Sequence, residues 1–359
     1  MRIKILYLYT EIMGYNLPIL ERLVSHHGAS VEVIRWNQNK LTPFVPAPIP
    51  GVTFHERTSF NAPQLLAFAL ALKPDLVYIS GWQDRGYLPV VRQLKAQGTT
   101  VVTGMDSQWT GSLRQRIVAL WMRWLIKDKC YSQAWVPGPM QYEYARRLGF
   151  KKTEILCNLL SGNSGLFGQA ALALQTEKRV HYPKQFLYVG RFAQSKGMDI
   201  LIEAYKTYKT KYGGDWSLKC VGNGPLEQAL ALEPDIQVEA VSSQQVLLQH
   251  ARLSGALVLP SRDEPWGVVV HEFASAGLPL ILSENVGARP QFLIDQLNGY
   301  TFYNDSADDL AHKMFLMSSA STGQLIDMGQ ASAHLAQHVT PDIAAASFIS
   351  ALKPGVMHG

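Results

Sequence analysis

The sequence predicts an α/β protein of two doubly wound domains, and three observations carry that expectation. Its 359 residues exceed what one hydrophobic core usually serves. Short β-branched or apolar runs alternate with longer segments of helical period, as parallel α/β units do. The alternation pauses once, in a glycine-containing stretch where the charge balance changes sign, and then resumes. No internal repeat of 20–50 residues accompanies it.

In the first series the expected strands are Ile3–Tyr9, Val31–Trp36, Leu76–Ser80, Thr100–Thr103 and Ala134–Pro137, with helical stretches around Leu17–His26 and Gln64–Leu72. Segment 40–63 carries Pro43, Pro46, Pro48, Pro50 and Pro63 and reads as a long surface loop. Residues 157–184 show no clear strand and read as the interdomain connection. The second series comprises Phe186–Val189, Leu218–Val221, Gln237–Glu239, Ala256–Leu259 and Pro279–Leu282. The expected domains are therefore 1–165 and 166–340, followed by a C-terminal helix in 341–359 whose candidate partner is the first domain. Two such domains facing each other form a cleft at the carboxyl ends of their sheets, where doubly wound sheets bind ligands.

Composition narrows the function classes. The chain is 47% hydrophobic and 17% charged, the balance of a soluble globular protein. Its three cysteines form no Cys-x-x-Cys pair, which argues against a disulfide framework or structural zinc and for a reducing compartment. The opening residues lack a signal-peptide cleavage site, and Glu11 interrupts their apolar run. The longest apolar runs, 65–72 and 117–126, fall short of the roughly 20 residues needed to span a bilayer. The expectation is a cytoplasmic protein. Residues 1–170 hold 19 Lys+Arg against 10 Asp+Glu, a charge of +9, while 171–359 hold 14 against 18, a charge of −4. A basic half suggests an anionic surface or substrate. No nucleic-acid-binding motif accompanies the charge, so nucleic acid is not the expected partner.

The second half holds the motifs. FLYVGRFAQSKGMDILIEAY (186–205) reads strand, glycine turn, helix, with Gly190-Arg191 at the strand end and Lys196-Gly197 before the helix. An Arg fork, a Lys point charge and helix N–H groups together suit a diphosphate, although two solvated loop cations give the same pattern. In CVGNGPLEQAL (220–230), Gly222 and Gly224 permit close approach of a ligand or simply make a turn. In LPSRDEPWGVVVHEFASAGLPLIL (259–282), Glu264 sits on a loop and Glu272 inside a helix expected to start near Val268. Gly267, Val268 and Val269 offer unpaired amides at that start. Glu272 lies in a stretch nearly free of charge, where an unpaired carboxylate is costly to bury. A pair of sugar hydroxyls is one natural partner for it.

Taken in order, these segments resemble the retaining nucleotide-sugar glycosyltransferases of family 4, which have the GT-B architecture of two Rossmann-like domains. The resemblance covers roughly 186–302 well, through Ala276-Gly277-Leu278-Pro279 to Asn298-Gly299-Tyr300, and the first half in outline. It implies that Arg191 and Lys196 bind the donor diphosphate, that Glu272 holds the ribose hydroxyls and that Glu264 lies near the donor sugar. Gly190 and Gly222 would flank the donor, and Trp266, Gly267, Val268 and Val269 would give backbone contacts. The stretch around Val241 would pass the base, with Ala240 where the family commonly has glycine. No cofactor or metal is implied, because cations and backbone donors take the leaving-group charge. In the first half only Gly14 remains of the family's glycine pair. The usual histidine is replaced by Met105, followed by Asp106, which reads either as a contact to donor sugar or acceptor hydroxyl or as a turn residue. Trp82 and Asp84 are further candidates for the acceptor side, with a packed Trp the alternative.

Segment Leu113–Lys129 is the remaining motif. Leu113, Ile117, Leu120, Trp121, Trp124 and Leu125 recur at helical spacing, among Arg114, Arg116, Arg123, Lys127 and Lys129. Two readings stand: a helix at an anionic membrane surface, or one packed on its own sheet with a solvated basic face. The sequence is thus expected to encode a metal-independent, retaining glycosyltransferase. Its donor is a nucleotide diphosphate sugar and its acceptor a glycan or lipid-linked glycan of cell-surface polysaccharide synthesis. The alternatives are a GT-B epimerase or inverting transferase, and a non-catalytic nucleotide-sugar-binding module.

Overall fold

The computed structural model describes residues 2–36, 44–240 and 243–352. The chain divides into unit 1, Met1–Ser161 with Pro341–Gly359, and unit 2, Gly162–Thr340.

Unit 1 is built on seven strands: β1 (Lys4–Leu8), β2 (Ser30–Arg35), β3 (Val52–Glu56), β4 (Leu76–Ile79), β5 (Thr100–Gly104), β6 (Gln133–Trp135) and β7 (Ile155–Leu156). Their order is β3-β2-β1-β4-β5-β6-β7, and the pairs are parallel, with Leu6 beside Glu32 on one side and Val77 on the other. β4 is buried at every position, the mark of a strand covered on both faces. The terminal helix Pro341–Ile349 closes one face: Phe348 stacks on Trp135 at 5.0 Å and meets Tyr7 and Tyr78 edge-on. Asp342 pairs with Arg22 at 2.9 Å.

Unit 2 repeats the plan with β8 (Gln185–Val189), β9 (Ser217–Val221), β10 (Ile236–Glu239), β11 (Ala256–Leu259), β12 (Leu280–Ser283) and β13 (Gly299–Phe302), in the order β10-β9-β8-β11-β12-β13. In both sheets the first strand has its successor on one side and a later strand on the other. The order therefore reverses between β1 and β4, and between β8 and β11. Loops at such points diverge and leave a crevice for a ligand.

The structure corrects the sequence reading in four places. The proline-rich segment is not all loop, since it contains β3. That strand lies at the sheet edge with no buried residue, so no apolar run announces it. β7 and β13 are likewise edge strands without a long apolar run. The connection 157–184 holds a 17-residue helix, Ser164–Val180, capped by the Asn163 side chain and buried through Phe167 and Leu174. Finally, 113–129 is not one regular helix: an α-helix over Leu113–Trp121 passes through a π-turn, Met122–Ile126, into a short helix, Lys127–Cys130.

Candidate functional site

In unit 2, the turn after β8 and the loop after β11 are fastened together. The carbonyl of Ser195 accepts from the amides of both Arg262 and Asp263 at 3.0 Å. Gly197 makes the approach possible: its φ is 68°, and a Cβ there would strike the carbonyl of Pro260. The contact brings together two residues 68 positions apart, for Lys196 Nζ lies 2.9 Å from Glu264 Oε2 and 3.0 Å from the carbonyl of Asp263. Ser261 Oγ donates to the same glutamate oxygen at 3.2 Å. Arg191 is exposed, its carbonyl held by the Tyr188 hydroxyl at 2.9 Å, and it has no carboxylate partner among the described residues. One cation is thus fixed by a carboxylate and a second is left available.

The loop then enters the helix Val268–Ser275 through Gly267, whose φ of 95° is a conformation that side chains rarely tolerate. Val268 and Val269 open the helix, so their amides have no carbonyl a turn earlier. Trp266 is buried edge-on to Phe292, and its carbonyl accepts from Ala288. Gly190 and Gly222 lie at the ends of β8 and β9, where their amides donate to Val221 and Glu239. Val241 lies outside the described residues.

Glu272 is 5% exposed. Gln244 Nε2 donates to its Oε1 at 2.8 Å and the Asn163 amide at 3.4 Å, while no cation pairs with it among the described residues. Burial pushes its carboxyl up to about 7, with the two hydrogen bonds opposing. Its neighbour His271 is a residue the sequence reading missed. Gly162 N donates to Nδ1 at 2.8 Å, and Nε2 lies 3.0 Å from the Ala336 carbonyl, which together require a neutral ring. Burial pulls its pKa down to about 4. Asn163 and Gln244, joined at 2.7 Å, were also missed: neither carries a charge or sits in a recognisable spacing.

Unit 1 has its own pocket, a cavity of about 480 Å³ at the ends of β1, β4 and β5. Tyr9, Thr10, Ser80, Trp82, Asp106 and Gln115 are among its lining residues. Met105, buried at 5% exposure, and Asp106 after it both line the cavity beyond β5. The Asp106 carboxyl touches the open space yet is walled by protein, and this loss of water raises its pKa above the ordinary value. Trp82 lines the pocket. Asp84 does not: it accepts from Arg57 Nε at 3.0 Å, Trp36 Nε1 at 2.9 Å and Gly86 N at 2.7 Å, a structural knot. Gly14 begins a short 3-10 turn without positive φ, and a Cβ there would make ordinary contact with Phe44.

Residues 174–324, which contain every strand of unit 2, match the family described as glycosyl transferases group 1. An uncharacterised glycosyltransferase, MJ1178 of Methanocaldococcus jannaschii, is 30% identical over 134 residues, 36% of this chain and 36% of that protein. The chain thus aligns with about a third of the length of that curated relative. Among solved structures, a glycosyltransferase from Rickettsia africae superposes with a TM-score of 0.74 at 13% identity, covering 99% of this chain and 100% of the other. Anabaena Alr3699/HepE, solved in complex with UDP-glucose, gives 0.71 at 15% identity, covering 98% and 100%. At such identities the likeness concerns the fold, which is GT-B.

Proposed function

We propose, from the match of residues 174–324 to the glycosyl transferases group 1, that the chain moves a sugar from a nucleotide diphosphate donor to a glycan or lipid-linked acceptor. The observation that carries the reading is the Lys196–Glu264 pair at 2.9 Å, on a turn that also carries the exposed Arg191, which has no carboxylate partner among the described residues. A cation fixed in place before substrate arrives loses little on binding a diphosphate, and its charge acts most strongly when the nucleotide departs. Arg191, Lys196 and the amides of Val268 and Val269 take the leaving charge without a metal. Glu272 accepts from the ribose hydroxyls, and the relative's complex with UDP-glucose makes a uridine diphosphate sugar the first donor to try.

Unit 1 supplies the acceptor. In the transfer, the bond from the sugar's anomeric carbon to the diphosphate breaks, the acceptor oxygen bonds to that carbon and the acceptor's proton leaves. Asp106 accepts a hydrogen bond from that hydroxyl. Retention follows the family-4 resemblance, with the proton passing to the departing diphosphate. The basic charge of the first half supports an anionic glycan carrier in cell-surface polysaccharide synthesis.

A thermal-shift series of nucleoside diphosphates and their sugars tests the donor reading. A ligand at 100 times its dissociation constant adds about 2.7 kcal/mol of stability. The expected result is stabilisation by one nucleotide series, with nucleotide release from its sugar form when acceptor is added. Stabilisation without release from any donor points to a binding module, and no stabilisation removes the donor site.

A further inference from the structure

The helix Leu113–Trp121 and its π-turn are amphipathic in the inverse sense. Their underside, Ala119 and Met122, packs into the unit 1 core. Their outer face carries the large apolar side chains: Leu113 is 74% exposed and Trp124 73%, with Ile117, Leu120 and Leu125 more than half exposed. A face solvated by water would hold the opposite arrangement. Arg114, Arg116, Arg123 and Lys129 are exposed around it, and none has a carboxylate partner among the described residues. Lys127 is not part of this basic rim. It is buried and paired with Glu154 at 2.7 Å and Asp128 at 3.0 Å, so the one acid in the segment is already bound.

We propose that this face docks on an anionic lipid bilayer, with the apolar row in the headgroup–acyl boundary and the four cations on lipid phosphates. Charge decides among the occupants. A second copy meeting the same patch would set cations against cations, whereas an anionic bilayer supplies both the apolar depth and the counter-charge. Trp121 is 39% exposed and Trp124 73%, and Arg123 lies 5.7 Å over the Trp124 ring.

The same helix walls the unit 1 pocket through Ser112, Arg114, Gln115 and Val118. Resting on the acceptor reading given above, the inference names the acceptor's class. It is an amphiphile whose polar head enters the pocket while its tail stays in the bilayer on which the helix lies.

The test is co-sedimentation of the full chain with vesicles of phosphatidylcholine alone and of phosphatidylcholine with half phosphatidylglycerol, at low and high salt. The wild type should pellet with the anionic vesicles, at least tenfold more tightly than with the neutral ones. It should be released by salt, since the attraction fades beyond a Debye length of about 8 Å at physiological ionic strength. Leu120→Ala/Trp124→Ala should bind at least tenfold more weakly. Arg116→Glu/Lys129→Glu should lose the preference for anionic lipid. Both variants should keep the wild-type melting temperature and nucleotide-induced stabilisation, because these side chains are exposed and lie in unit 1. Wild type remaining in solution with anionic vesicles at low salt overturns the proposal, as does undiminished binding by both variants. A concentration-dependent dimer that Trp124→Ala abolishes, without vesicle binding, assigns the face to a second copy instead. Nucleotide stabilisation measured on the same samples keeps a failure here separate from a failure of the transferase reading.

Discussion

Two sheets of the same strand order treat their switch points differently. Between β8 and β11 of unit 2, the carboxylate of Glu264 is neutralised by Lys196 at 2.9 Å, in a loop drawn tight by shared backbone hydrogen bonds. Between β1 and β4 of unit 1, the corresponding crevice is an open cavity of about 480 Å³, and Asp106 at its wall has no paired cation among the described residues. The first arrangement suits a ligand of fixed chemistry, a diphosphate, which demands cations at set positions. The second suits a ligand read by shape, stacking and a single acceptor group. Topology determines where a ligand goes, and the side chains at the strand ends determine what kind it is.

The comparison breaks most readily at Lys196. Replacement by Ala removes a preset charge from the leaving group and should lower turnover by about 10²–10³, the usual loss of an electrostatic transition-state donor. Arg191→Ala should do the same, with a larger rise in KM, because no carboxylate holds it in place. Steady-state release of free nucleotide measures both. Near-normal turnover in Lys196→Ala would leave its ion pair with Glu264 purely structural.

Glu272→Gln comes next. A carboxylate that accepts ribose hydroxyls makes charge-assisted bonds worth about 1.5–3 kcal/mol, so nucleotide affinity should fall roughly ten- to a hundredfold. Because burial pushes the wild-type carboxyl up to about 7, affinity should rise with pH through that value and lose the dependence in the variant. Calorimetric titration with a bare nucleoside diphosphate between pH 6 and 8 reads both effects. An unchanged affinity removes Glu272 from the donor site.

Much of this contrast follows from what a sequence can display. The buried strands β1, β4, β8 and β11 are apolar runs and are legible as such. β3, β7 and β13 lie at sheet edges, bury less and leave no run. The unit 2 residues fall in short local spacings, Gly-Arg, Lys-Gly and two glutamates eight apart, that a strand–loop–helix unit must reuse. The pairing of Lys196 with Glu264 is tertiary and has no local trace. The unit 1 pocket is made by Tyr9, Ser80 and Asp106, each the first residue or two beyond a different strand, so no spacing links them. Exposure of the 113–125 apolar face was equally illegible, since the periodicity fixes which residues share a face but not which way that face turns.

Adjacent in sequence, His271 and Glu272 respond to acid in opposite senses, and this sharpens the account of unit 2. His271 has its pKa lowered to about 4, so the proton it refuses when folded is taken up by the unfolded chain near 6.5. Its contribution to stability is present above 6.5 and is lost as pH falls toward 4. Glu272, raised to about 7 from 4.5, contributes stability below 4.5 that is lost as pH rises through 7. Between pH 5 and 7 each amounts to about 2 kcal/mol with opposite sign, so the pair leaves wild-type stability nearly flat. Glu272→Gln removes one side and should make the protein about 2 kcal/mol less stable at pH 5 than at pH 7. Urea unfolding at the two pH values measures this, and a variant as flat as wild type would show that His271 does not stay neutral.

The smallest expected effect belongs to Asp106, and it tests the unit 1 half of the comparison. With no paired cation and a pKa raised by desolvation, its carboxylate is a stronger hydrogen-bond acceptor than a solvated aspartate. A hydroxyl in the pocket is therefore a favourable partner. Asp106→Asn keeps the shape but weakens that acceptor, so acceptor-dependent turnover should fall about tenfold, the equivalent of roughly 1.4 kcal/mol. Nucleotide affinity should not change, because Asp106 lines the unit 1 cavity and the proposed donor residues belong to unit 2. The wild-type rate should also decline as pH drops toward the raised pKa, while the variant loses that limb of the profile. If Asp106→Asn instead weakens the nucleotide as strongly as Glu272→Gln does, Asp106 contacts the donor. The unit 1 crevice is then not reserved for the acceptor, and the division of labour between the two switch points fails.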